Sequence, residues 1–165
     1  MKQTALKLNE IKLVGVTCRT NNNLEMDPST AQIGATLQTY FGENLPATLA
    51  NRKNPGITYC VYTEYESDAT GDYTFLVGEE VTSLENIPDG LTPLTIPAQH
   101  YTKFTTQEGV MPMVCISAWQ KIWGMAAREM GGDRNYIADF EIYDTRAQDP
   151  EKTILDIFIG LKDLQ

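Results

Sequence analysis

Glu141 interrupts the apolar and aromatic residues of Tyr136-Ile137-Ala138-Asp139-Phe140-Glu141-Ile142-Tyr143-Asp144. The run reads as a β-strand. Side chains alternate across a strand, so Asp139, Glu141 and Tyr143 share one face while Phe140 and Ile142 share the other. If the acid face is covered, the chain buries a carboxylate that needs donors or a cationic partner. If it is open, Glu141 is a solvated strand residue. A carboxylate among aromatic rings suits a lipophilic cation, because the rings supply apolar walls and negative π-faces and the acid supplies the counter-charge. Tyrosine fits this use, since its hydroxyl can donate to the acid. Eight tyrosines and two tryptophans are present.

Other chemistry is poorly supplied. With one histidine, His100, and no paired cysteine spacing, no local zinc site is written, and neither a cofactor nor a metal is expected. Gly131-Gly132-Asp133 follows a helical segment instead of preceding one, so it reads as a loop and not as a phosphate cradle. A net charge of −9 opposes direct binding to nucleic acid and favours attraction of cations. Cys18, Cys60 and Cys115 are odd in number and widely spaced in apolar runs, as expected of reduced thiols in a cytoplasmic protein. No apolar segment approaches the length of a membrane span, and the N-terminus lacks an apolar signal core. Glu64, Glu66, Asp68 and Asp72 read as a solvated hairpin tip.

The 165 residues suit one domain over 1–165. Ile11–Thr20 is β-rich, with Gly15 marking a bulge or bend. Asp27-Pro28-Ser29 carries a cap and an N1 proline, predicting a helix through Ile33, Leu37, Tyr40 and Phe41 to a stop at Gly42. A hairpin follows, Ile57–Tyr65 returning as Asp72–Val81. Leu94–Thr106 is a strand, bent at Pro97; Pro112 opens a helix carrying Trp119 and Trp123; Tyr136–Asp144 and Ile154–Leu161 close the chain. The order is β-α-β-β twice, over about 8–81 and 94–162, and predicts an α+β fold with an antiparallel sheet and two helices on one face. Clefts between two such units are common ligand sites.

Trp119 and Trp123 are one helical turn apart and project from one side, toward either the core or the groove. Tyr59 and Tyr62 differ in parity, so one of them faces the groove; the same holds for Tyr101 and Phe104. Tyr59 and Phe104 enter the candidate set on that footing. Phe41, beside Tyr40 at the end of the first helix, could close the other wall.

Together these stretches resemble the GyrI-like, or AraC-type effector-binding, family of small-molecule binding domains. The resemblance is carried by Tyr59–Asp68, Gly71–Thr74, Ile96-Pro97-Ala98 with Tyr101, Ala118–Trp123 and Asp139–Tyr143, and covers nearly the whole chain. It is nearest to stand-alone members such as integron cassette proteins that bind cationic drugs. The resemblance implies a tandem β-α-β-β fold, with a glutamate on a central strand at the bottom of an aromatic groove. That glutamate falls on Glu141. Many relatives carry a helix-turn-helix domain; no segment here reads as one, so any DNA contact would need a partner protein. Two further functions known in the family are hydrolysis of electrophilic small molecules and gyrase inhibition. The first would use the same glutamate as a general base.

Overall fold

Strand pairing places the acid-bearing segment at the centre of the sheet. The computed structural model describes residues 1–163. Its first half runs β1 (Lys2–Leu8), β2 (Ile11–Thr20), α1 (Asn22–Glu25), α2 (Ile33–Gly42), β3 (Thr58–Thr63) and β4 (Tyr73–Glu80). The second runs β5 (Thr92–Ile96), β6 (Gln99–Thr105), α3 (Met113–Trp123), α4 (Ala127–Met130), β7 (Ala138–Tyr143) and β8 (Asp156–Leu161). All eight strands form one sheet in the order β1-β6-β8-β7-β3-β4-β2-β5, and every pairing is antiparallel. The fold is α+β. The order mirrors itself about the β7–β3 seam, where Cys60 lies opposite Glu141 and Tyr62 opposite Asp139.

Two short connections shape the sheet. Asn9-Glu10 joins β1 to β2, and Pro97-Ala98 joins β5 to β6. Each pair sits near opposite edges, about 30 Å apart in a flat sheet at the usual strand spacing. Two residues reach only about 10 Å. The sheet therefore curls, and its concave face closes on its own side chains: Leu13, Val61, Leu76, Tyr101, Phe140 and Phe158. Phe140 and Phe158 stack at 4.6 Å. The helices cover the convex face. Tyr40 of α2 packs on Cys60, Phe75 and Val77, while Ala118, Trp119 and Ile122 of α3 pack on Phe104, Ile157 and Ile159. A groove is left between α2 and α3, over the seam.

Three local expectations change. The first strand, β1, is absent from the sequence reading: it is a largely exposed edge strand whose partner, β6, is remote in sequence. The strand expected over Leu94–Thr106 is two strands, split at Pro97-Ala98 and lying on opposite sides of the sheet. The first helix does not open at Asp27-Pro28. The Asp27 carboxylate instead accepts from the N–H and hydroxyl of Ser29, making a local turn. Helix α2 starts at Ile33, and Glu25 caps it by accepting from the N–H groups of Gln32 and Ile33 at 2.8 and 3.0 Å. Gly15 pairs with Gly78 across β2 and β4, and a Cβ at Gly15 would fall 2.0 Å from the Val77 carbonyl oxygen, so the strands cross where only glycine fits. Among the described residues no helix is long and apolar enough to cross a membrane.

Candidate functional site

Glu141 is covered. It is 2% exposed and accepts three hydrogen bonds. The Tyr62 hydroxyl and the Trp119 indole N–H both donate to Oε2 at 2.7 Å, and the Tyr143 hydroxyl donates to Oε1. An indole N–H and two hydroxyls converging on one acid give both carboxylate oxygens a donor in a buried setting. The Tyr143 hydroxyl also lies 3.5 Å from Cys115 Sγ. Its one proton goes to the stronger acceptor, the carboxylate, leaving a lone pair toward the thiol.

Above this cluster, between α2 and α3, lies a cavity of about 200 Å³. Tyr62, Trp119, Trp123, Tyr65 and Tyr73 give it aromatic walls, and Ile33 and Ile116 add aliphatic surface. Tyr62 is central: its ring lies 5.3 Å from Trp119, 5.6 Å from Tyr73 and 5.5 Å from Phe75. Trp123 stands at the mouth, 52% exposed and 6.2 Å from Trp119. Glu141 itself does not line the cavity. It lies beneath the floor that Tyr62 and Trp119 form.

Not all the candidate residues meet here. Trp119 and Trp123 both line the cavity, the first anchored to Glu141 and the second half-exposed beside it. Tyr143 reaches Glu141 but borders a neighbouring cavity of about 360 Å³, and Phe41, 53% exposed, borders that second cavity too. Tyr59 is on the wrong face: it packs against Phe140 on the concave side and donates to Glu80 at 3.1 Å. Tyr62, its opposite in parity, takes the groove position. Phe104 shares the convex face but is 1% exposed, sealed under α3 among Ile157 and Leu155. Both are core residues. Parity separates two faces but does not say which is roofed by a helix and which by a groove.

Two site features went unread in the sequence. Tyr65 and Tyr73 belong to the β3–β4 hairpin, and their positions depend on its register. Arg134 comes from the loop before β7 and enters the cavity wall. It is held by the second buried acid, Asp139, whose Oδ2 accepts from Arg134 at 2.7 Å and from Tyr65 at 2.6 Å, while Oδ1 accepts from the Gly160 N–H at 2.8 Å. Asp139 and Glu141 thus stand two residues apart on one strand face with different partners.

Burial sets the ionisation of the surrounding groups. Desolvation first, and the nearby Glu141 second, push the Tyr62 and Tyr143 hydroxyls and the Cys60 and Cys115 thiols above their ordinary ranges. They stay protonated and can donate. Desolvation also raises Tyr40, Tyr59, Tyr65 and Tyr73, and raises Tyr101 to about 12. A group whose folded pKa is raised gives its stability below the unfolded value and loses it as pH climbs through the folded one. Unfolded tyrosine titrates near pH 10. The unfolding free energy in urea is therefore expected to hold below pH 10 and then fall steeply, by up to about 1.4 kcal/mol per pH unit for each tyrosine involved. Tyrosinate absorbance should rise with unfolding. Titration of the tyrosines with the fold intact would contradict this.

The same fold occurs in known proteins. The integron cassette protein VCH_CASS2 of Vibrio cholerae superposes with a TM-score of 0.76 at 26% identity, over 97% of this chain and 95% of that one. SAV2435, solved bound to tetraphenylphosphonium, shares the fold with a TM-score of 0.76 at 17% identity, over 98% and 94%. By sequence, the Bacillus subtilis (strain 168) protein YobU, whose name assigns it provisionally to transcriptional regulation, is 27% identical over 151 residues, 92% of each chain. Residues 6–161 match the Cass2 family, so that β2 to β8, both groove helices and the Glu141 cluster all lie inside the match: the chain belongs to the integron-associated effector binding proteins.

Proposed function

We propose that the groove binds an amphipathic organic cation and that Glu141 acts through the rings above it. The carrying observation is the pair of donors, Tyr62 and Trp119, that stand between the acid and the cavity and give both their protons to Oε2. Donation to a carboxylate makes each ring more electron-rich, which strengthens its hold on a cation above its face. The acid's own field adds to this. At about 6 Å and an effective dielectric near 20, a unit charge gains about 3 kcal/mol from it. Apolar parts of the ligand would rest on Ile33, Ile116 and Trp123.

The size of the cavity, about 200 Å³, favours a compact ligand or one that moves Trp123 aside. Tetraphenylphosphonium on a protein of the same fold is in keeping with a lipophilic cation here. Binding would serve sensing or sequestration, with DNA contact supplied by a separate protein. The covering of Glu141 weighs against a general-base role, because both of its oxygens already accept hydrogen bonds and it does not line the cavity.

Trp119 and Trp123 make binding observable. Titration with para-benzylbenzyl-trimethylammonium should change tryptophan fluorescence saturably, and Trp123→Ala should weaken binding by about tenfold while leaving the thermal midpoint within a few degrees. A linear, non-saturating response in the wild type would remove the reading.

A further inference from the structure

We infer that the groove has a second recognition point, Arg134, which selects cations that also carry a hydrogen-bond acceptor oxygen, such as an aryl ketone, carboxamide or sulfonyl group. This rests on the cation reading above and narrows its ligand class.

A guanidinium has five N–H donors. Within the protein Arg134 uses one, donating through Nη2 to Asp139 at 2.7 Å. Its Nε–H is buried with no acceptor among the described residues. Its side chain is 11% exposed and forms part of the cavity wall. Asp139 also accepts from Tyr65 and the Gly160 N–H, and takes only the Nη2 donor of Arg134. The guanidinium is fixed in place as well as under-used. It lies 4.4 Å from the centre of the Tyr136 ring, and Tyr136 is edge-on to Tyr65 at 5.6 Å. Tyr136 holds a left-handed backbone conformation, φ 53°, unusual for a bulky side chain, and this turn presents the ring to Arg134. A rigidly held guanidinium on a cavity wall with N–H donors to spare is a place for a ligand acceptor.

The strand sets the span. Asp139 and Glu141 are two residues apart on one face, about 7 Å. Arg134 lies beyond Asp139, so the cationic centre over Tyr62 and Trp119 and the acceptor at Arg134 would be on the order of 7–10 Å apart. The groove is then two-ended, acid beneath one end and guanidinium at the other, and it distinguishes ligands by what lies across from their charge.

The test uses a matched pair: para-benzoylbenzyl-trimethylammonium and para-benzylbenzyl-trimethylammonium, which differ only by a carbonyl in place of a methylene at about that span. Wild-type protein is expected to bind the ketone about tenfold tighter, the usual effect of one hydrogen bond to a charged group. Arg134→Lys keeps a cation for Asp139 but loses the planar fork. It should lose the preference for the ketone over the methylene compound. Equal binding of the two compounds by wild type would overturn the Arg134 site while leaving the cation reading standing. So would a ketone preference that survives in Arg134→Lys. Failure of both cations to bind wild type would end both readings. The wild-type comparison stands even if the variant does not fold.

Discussion

Glu141→Gln is expected to fold and to lose affinity for para-benzylbenzyl-trimethylammonium by about ten- to a hundred-fold, the factor that a charge at about 6 Å supplies through a partly screened medium. Folding is expected because the hydrogen-bond network can be redrawn. The glutamine carbonyl can accept from Tyr62 and Trp119, which already share one oxygen. Its amide then faces Tyr143, whose hydroxyl can turn its proton to Cys115 Sγ, 3.5 Å away, and accept instead. Tyr62, Trp119, Tyr143 and one amide N–H all keep a partner, so the thermal midpoint should move by only a few degrees. A variant that unfolds would show that the charge itself holds the cluster together. A variant that binds the cation unchanged would show that the rings alone bind it.

Asp139→Asn should behave in the opposite way, lowering stability by about 3–5 kcal/mol in urea unfolding. The carboxylate is fully buried and serves three donors from three elements: Arg134 before β7, Tyr65 after β3 and the Gly160 N–H in β8. An asparagine side chain must turn its N–H₂ toward these donors. No neighbour is placed to relieve it as the Tyr143 hydroxyl relieves the new amide in Glu141→Gln. Arg134 would keep its charge in a largely buried position without a counter-ion. Space is lacking for rearrangement, because a Cβ at Gly160 would already fall 2.6 Å from Asn135 Oδ1. Loss of less than about 1 kcal/mol would mean that the Asp139–Arg134 pair contributes little beyond a hydrophobic replacement. Two acids on one strand face would then divide the work, Asp139 holding the sheet to its loops and Glu141 charging the groove.

What could be read from the sequence follows from where the signal is local. An acid inside an aromatic strand marked Glu141, and helical spacing put Trp119 and Trp123 on one side of α3; both statements need only the chain's own periodicity. Tyr59 against Tyr62 needs more. Their opposite parity was legible, but which face the helices cover depends on the curl of an eight-stranded sheet. Phe104 shares the Glu141 face and still misses the groove, because α3 sits directly over it. Strand β1 has four exposed residues in succession and pairs with β6 across most of the chain, so nothing local announces it. At Asp27-Pro28-Ser29 a turn and a helix start share the same residue preferences, and the cap of α2 comes from Glu25 instead. Arg134 is invisible for a similar reason: its importance lies in Asp139 and Tyr136, which the loop folds against it.

Recognition of charge in the groove is tested most directly by replacing the charge and nothing else. Tryptophan fluorescence would be titrated with para-benzylbenzyl-trimethylammonium and with its neutral neopentyl analogue, in which carbon takes the place of nitrogen, on wild type and Glu141→Gln. Wild type is expected to prefer the cation by at least about tenfold, and most of this preference should disappear in the variant. Equal affinity of wild type for the charged and the neutral compound would contradict a counter-ion role for Glu141.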